Sequence, residues 1–144
     1  MKRPSWNWAC CEDSIRSQKS AVRTRGFEQI ISWQKARELN KNIYGITLKS
    51  NFNKDFALRD QIRRASISIT SNIAEGYGRK STKEFIYFLN IAQASCYEVG
   101  SQLYLSMDIS YITKKEFEEL FDLCEEISKT IFGLIKHLKT KSDI

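Results

Sequence analysis

From about residue 31 onward, apolar residues recur at helical spacing. Ala36, Leu39, Ile43 and Ile46 step by 3, 4 and 3, which gathers them on one stripe of a helix. Ser32 is a plausible N-cap for that helix, which is predicted to end near Thr47. The stretch from Lys49 to Lys54 is polar apart from Phe52 and reads as a turn. Leu58, Ile62, Ala65, Ile69 and Ile73 follow at steps of 4, 3, 4 and 4. They predict a second helix that stops at Glu75-Gly76-Tyr77-Gly78, where glycine supplies a left-handed C-terminal turn at little steric cost.

Two further helices have stronger start signals. Ser81-Thr82-Lys83-Glu84 and Thr113-Lys114-Lys115-Glu116 are both capping boxes, in which the hydroxyl accepts from the third residue's N–H while the glutamate reaches back. Phe85, Leu89, Ala92, Cys96, Val99 and Leu103 then form one heptad seam. Phe117, Leu120, Cys124, Ile127, Ile131, Leu134 and Leu138 form another. Helices of about 25 residues span roughly 37 Å, and the short connections force antiparallel neighbours. The predicted fold is all-α, an antiparallel up-down-up-down four-helix bundle over residues 27–144. The seams leave a remainder: Ile86, Phe88, Ile91, Tyr97, Tyr104, Leu105, Phe121, Phe132 and Ile135 widen the apolar arc beyond one core. A second buried face, and so self-association, is the economical explanation. Gly100 and Gly133 lie inside these helices, where close backbone approach at a crossing would offset their cost of about 1 kcal/mol each.

Composition agrees. The chain has 144 residues, enough for one domain with its own core, and Pro4 is its one proline. An apolar content of 42% is too high for a disordered polyampholyte, and no window approaches the ~20 apolar residues of a membrane span. Cys10 and Cys11 are adjacent while Cys96 and Cys124 sit in apolar seams, so the four do not read as a disulfide framework; Cys96 and Cys124 read as small buried hydrophobes, and a reducing cytoplasm is expected. Residues 1–26 lack a sustained period and hold Lys2, Arg3, Arg16, Lys19, Arg23 and Arg25 against Glu12 and Asp13. They are expected to be a poorly ordered basic extension; Trp6 and Trp8 within it either belong to that tail or stack on bases or a partner.

Catalytic constellations are scarce. Ser66, Ser68, Ser71, Ser95, Ser101 and Ser106 have no histidine near in sequence, and His137 stands alone on the last helix. Glu75 and Glu98 are a conceivable carboxylate pair, but without a Glu-x-x-His motif they read as partners for arginines. Gly76-Tyr77-Gly78-Arg79 follows a helix, so it is no nucleotide fingerprint. No enzyme, metal site or cofactor is expected.

Charge is more informative. The net +6 divides into +6 over residues 32–80, −3 over residues 81–144, +4 in the N-terminal stretch and −1 from Glu28. Arg59 and Arg63 are i, i+4 neighbours with Arg64 beside them, and Arg79, Lys80 and Lys83 crowd a turn where a helix exposes its N-terminal N–H groups. These six residues are the candidate phosphate contacts; the bland alternative is a solvated face paired with Asp60 and Glu75.

Three runs carry a resemblance: Phe27 to Leu39, Leu58 to Ala65, and Ser68-Ile-Thr-Ser-Asn-Ile-Ala-Glu-Gly-Tyr-Gly-Arg79. Lys83-Glu84-Phe85, Phe88 to Ala92, Ser95 to Glu98 and Gln102-Leu103 extend it. Over about residues 27–140 the chain resembles the bacterial four-helix-bundle proteins encoded in intervening sequences of 23S ribosomal RNA genes. It is also similar in expected fold to the accessory protein of diversity-generating retroelements, which associates with a reverse transcriptase. The resemblance implies a ring-shaped homopentamer with a basic surface. It implies that Asn72, Glu75, Gly76, Tyr77 and Gly78 are a family motif, read first as structural. The expected function is a non-enzymatic oligomeric nucleic-acid-binding protein, for structured RNA; the alternative is a scaffold that docks a protein partner.

Overall fold

The computed structural model describes residues 26–142. Gly26, at φ +99°, leads into a single 3-10 turn at Phe27–Gln29. Five α-helices follow: α1 Ile31–Thr47, α2 Ser50–Lys54, α3 Phe56–Tyr77, α4 Thr82–Asp108 and α5 Lys114–Ser142. Among the described residues there is no strand, and no helix is long and apolar enough to cross a membrane.

The stripes read from the sequence are the core. Ala36, Leu39, Ile43 and Ile46 of α1 are buried against Leu58, Ile62, Ala65, Ile69 and Ile73 of α3 and against the seams of α4 and α5. α1 touches α3 and α5, α3 touches α4, and α4 touches α5, whereas the pairs α1 with α4 and α3 with α5 stay apart. On the α1 side, Lys35 pairs with Glu126 and Lys49 with Glu116, so the numbering rises along α1 as it falls along α5.

Several local expectations are corrected. Ser32 is not a cap: α1 starts one residue earlier, behind an extended Ile30, and the Ser32 hydroxyl is buried without a partner. The entry is set instead by the 3-10 turn, where the Gln34 amide donates to the Glu28 carbonyl at 2.8 Å. The stretch at 49–54 is not a plain turn; it closes into α2, because Phe52 drops fully into the core and packs at 5.2 Å from the Tyr111 ring. Asp55 caps α3, accepting from Leu58 N–H at 3.1 Å. Gly78 stays right-handed at φ −75°, so no left-handed turn ends α3. Gly76 is inside the helix, where a Cβ would come within 2.7 Å of Phe88 Cβ; close approach of α3 to α4 is what requires glycine there.

The capping box closes fully at Thr113, whereas at Ser81 the hydroxyl cap forms and the Glu84 carboxylate accepts from the Ser81 hydroxyl rather than from its N–H. Glu84 N–H donates to Ser81 Oγ at 3.2 Å, and Glu116 N–H donates to Thr113 Oγ1 at 3.1 Å while the Glu116 carboxylate accepts from Thr113 N–H at 3.0 Å. The last seam shifts by one residue at its end: Ile135 is buried and Leu134 and Leu138 are only partly so. Of the other surplus positions, Ile86 and Phe121 pack against the core, while Tyr97, Tyr104, Leu105 and Phe132 remain exposed. Gly100 is buried facing the Phe121 ring at 3.3 Å, a side chain rather than a backbone; Gly133 faces open space, so no helix crossing explains it within one chain.

Candidate nucleic-acid interface

The six predicted cations do not form one patch. Arg59, Arg63 and Arg64 sit in the first half of α3, and Arg79, Lys80 and Lys83 lie past its other end, about 30 Å away at ~1.5 Å per residue. Their surroundings differ as well.

Arg59 donates to Asp60 at 3.0 Å and to the Asn53 carbonyl at 2.9 Å, with its guanidinium 4.7 Å from the Phe56 ring centre. Arg63 donates to Thr47 Oγ1 at 2.8 Å and lies 4.4 Å over the Tyr44 ring, and its Nη2 is buried without a partner. Arg63 therefore reaches across to α1, whereas Arg59 stays among residues of α2 and α3. Arg64, one residue or about 100° further round the helix, is exposed and has no partner among the described residues.

At the far end Arg79 pairs with Glu75 at 2.9 Å and lies 5.0 Å over the Phe88 ring. Lys80 and Lys83 are exposed without a partner among the described residues. At the N-terminus of α4, Ser81 Oγ takes up the Glu84 N–H and itself donates to the Glu84 carboxylate at 3.1 Å, which places a negative charge beside Lys80 and Lys83. Glu75 and Glu98 are not brought together: Glu75 holds Arg79, and Glu98 accepts from Gln102 further along α4. Among the described residues no group of His, Cys, Asp and Glu is arranged to hold a metal.

The motif residues hold α3 to α4. Asn72 donates to the Ser68 carbonyl at 2.8 Å and to Ser68 Oγ at 2.9 Å, and Ser95 of α4 donates to the same Ser68 Oγ at 2.9 Å. Gly76 admits Phe85 and Phe88, and the Tyr77 ring meets Phe85 edge-on at 6.1 Å. Gly78 closes the helix, its N–H reaching the Ala74 and Glu75 carbonyls.

Charge counting overlooked the aromatic residues beside the arginines. Along α1, Trp33, Arg37 and Tyr44 recur at helical spacing on the side that faces α3, and the Arg37 guanidinium lies 5.7 Å from the Trp33 ring centre. A cleft of about 310 Å³ between the two helices is lined by Phe27, Trp33, Arg37, Asn40, Thr70 and Ser71. The Asn40 amide crosses its floor to Thr70 Oγ1 at 3.0 Å. The i, i+4 pairing of aromatic with arginine in α1 was visible in the sequence; the pairing of Tyr44 with Arg63 crosses helices and was not.

A second, larger groove of about 530 Å³ runs between α4 and α5, lined by Cys96, Tyr97, Gly100, Tyr104, Phe121 and Cys124 among others. Burial pushes the Cys96 thiol up to about 12, and burial together with the nearby Cys96 raises Cys124 further, so both are inert thiols at neutral pH.

Comparison with known proteins places this geometry. The crystal structure of a protein of unknown function from the S23 ribosomal protein family of Bacteroides thetaiotaomicron superposes with a TM-score of 0.68 at 31% identity, covering 74% of this chain and 99% of that one. Among curated proteins there is no match. The family described as 23S rRNA-intervening sequence protein matches residues 28–133, which takes in α1 to α4 and most of α5. The chain belongs to the 23S rRNA-intervening sequence protein family.

Proposed function

We propose that this protein is a non-enzymatic RNA-binding protein that acts as a homo-oligomer. Its helices form an antiparallel up-down-up-down bundle, repeated as a five-copy ring. The ring of neighbouring helices α1, α3, α4 and α5 and the pairing sense of α1 with α5 support the bundle. Exposed Tyr97, Tyr104, Leu105 and Phe132 supply apolar surface for assembly. The observation that carries RNA binding is the placement of cations: Arg64 and Lys80 are exposed without a partner among the described residues on the stretch 32–80 that holds +6, with Lys83 just past its end, while the acidic residues concentrate on α5. Five copies would repeat that field around a ring and attract a polyanion far more strongly than the overall charge suggests.

Light scattering with and without a structured RNA, across a salt series, tests this. A mass of five chains that gains RNA, with affinity falling steeply in salt, is expected. Arg64→Glu with Lys83→Glu should flatten the slope of log K against log salt by about 0.7–0.9 for each phosphate that is no longer neutralised. Binding indifferent to salt, or none at low salt, overturns the reading. The groove between α4 and α5 favours a second reading, a scaffold on which a protein partner such as a reverse transcriptase docks. Association with purified partner that survives nuclease and high salt would select it.

A further inference from the structure

We infer that the groove between α1 and α3 is a track for an unpaired RNA strand, whose bases stack on Trp33, Tyr44 and Phe56. This rests on the RNA-binding reading above and narrows it to a site and a ligand form.

Three aromatic and guanidinium pairs mark the track: Trp33 with Arg37 at 5.7 Å, Tyr44 with Arg63 at 4.4 Å and Phe56 with Arg59 at 4.7 Å. Tyr44 at 42% and Phe56 at 65% exposure keep ring surface open beside their arginines, while Trp33 is half-buried against the core with Phe27 edge-on at 5.2 Å and presents only its outer part. Along α1, Trp33 and Tyr44 are about 16 Å apart, and along α3 the step from Arg63, which meets Tyr44, to Phe56 is about 10 Å. The row is therefore about 26 Å long, room for several nucleotides, and at one end it opens into the 310 Å³ cleft where Ser71 and Arg37 stand beside Trp33.

Charge along the row is one-sided. Arg37 and Arg63 have no carboxylate partner among the described residues, and Arg63 Nη2 is buried without an acceptor. Asp60, paired with Arg59, is the acidic residue at the rim; Glu38 of α1 is about 100° further round than Arg37 and faces away. Such a surface discriminates by geometry. A duplex keeps its bases stacked inside and offers phosphates to protruding cations, whereas these guanidinia are drawn in over rings. An unpaired strand offers base faces to the rings and phosphates to the arginines together, the combination that sequence-tolerant single-strand sites use.

The test compares an unstructured oligouridine with an RNA duplex of matching length on the full-length protein. The oligouridine should bind more tightly. Phe56→Leu and Tyr44→Leu keep apolar bulk at exposed positions but remove the π face, and each should weaken oligouridine binding roughly five- to a hundredfold while leaving duplex binding unchanged. Arg37→Gln should lower the oligouridine salt slope by about 0.7. With Trp6 and Trp8 replaced by Phe, oligouridine should quench the emission of Trp33. Equal binding of both RNAs with the leucine variants unaffected overturns the track and leaves the RNA-binding reading standing. Absence of binding to either RNA at low salt overturns both. A change in oligomer mass in the leucine variants overturns the track by making the groove an interface between copies.

Discussion

The grooves on either side of the core differ less in their aromatic content than in what the aromatics touch. Between α4 and α5, Tyr104, Phe117 and Phe121 pack on one another at 4.7 to 5.3 Å, beside two thiols held protonated by burial. Between α1 and α3, Trp33, Tyr44 and Phe56 are each met by a guanidinium, with Phe27 also edge-on to Trp33, and the cross-helix bonds are polar: Asn40 to Thr70 and Arg63 to Thr47. Both surfaces flank the same core stripe with the same stepping of 3 and 4. The core thus fixes where a groove lies, and the next residues round each helix fix its character: apolar and aromatic on one side, aromatic and cationic on the other.

The largest expected effect removes what the two halves share. Phe52 of α2 is fully buried among residues of both halves, so Phe52→Ala should cost about 3–5 kcal/mol. Urea unfolding followed separately by tryptophan emission and by far-UV dichroism should show one coincident transition at lower midpoint; two separated transitions would show that the halves melt independently. A smaller effect sits at the seam between the halves. Gly76→Ala drives a methyl into Phe88 Cβ and Phe85, and should destabilise by about 1–3 kcal/mol despite alanine's better helix propensity. Gly133→Ala, on the open face of α5, is the control: with nothing near its Cβ it should stabilise by up to about 1 kcal/mol in thermal melts. A Gly76→Ala variant as stable as Gly133→Ala would mean that α3 and α4 are not tightly seated.

Why some of this was legible and some was not follows from range. The stripes of α1, α3, α4 and α5 and the capping hydroxyls are encoded within a few residues, and they appear where the spacing put them, except at the end of α5, where Ile135 replaces Leu134 and Leu138 in the core. α2 was missed because only Phe52 carries it, and its burial depends on Tyr111, far along the chain. The glycines of the Gly76-Tyr77-Gly78 string suggested a left-handed turn, yet Gly76 answers to Phe85 and Phe88 of another helix. The candidate site suffered likewise. A list of cations joined Arg59 to Arg79 because charge has no direction in a sequence, while the structure divides them by a helix length and ties Arg63 to α1.

The smallest effect concerns the ion pairs that fasten α1 to α5, and so one half to the other. Burial by itself would raise the Glu116 carboxyl, but the Lys49 ammonium and the Thr113 N–H and hydroxyl together outweigh it and hold the group below its ordinary value. A carboxyl depressed in the folded state contributes stability above its unfolded pKa, and that contribution disappears as pH falls through the lower, folded value. The wild-type melting temperature should therefore decline more steeply below about pH 4.5 than that of Glu116→Gln, and the two should converge at the acid end. Lys49→Met should weaken the same limb, since it leaves Thr113 as the remaining donor to the carboxylate. Lys35→Met, at a pair whose glutamate is 59% exposed, should change stability by no more than about 1 kcal/mol at any pH. If instead Lys35→Met and Lys49→Met flatten the acid limb equally, the capping box adds nothing to Glu116, and the attachment of α1 to α5 rests on general surface charge rather than on one placed carboxylate.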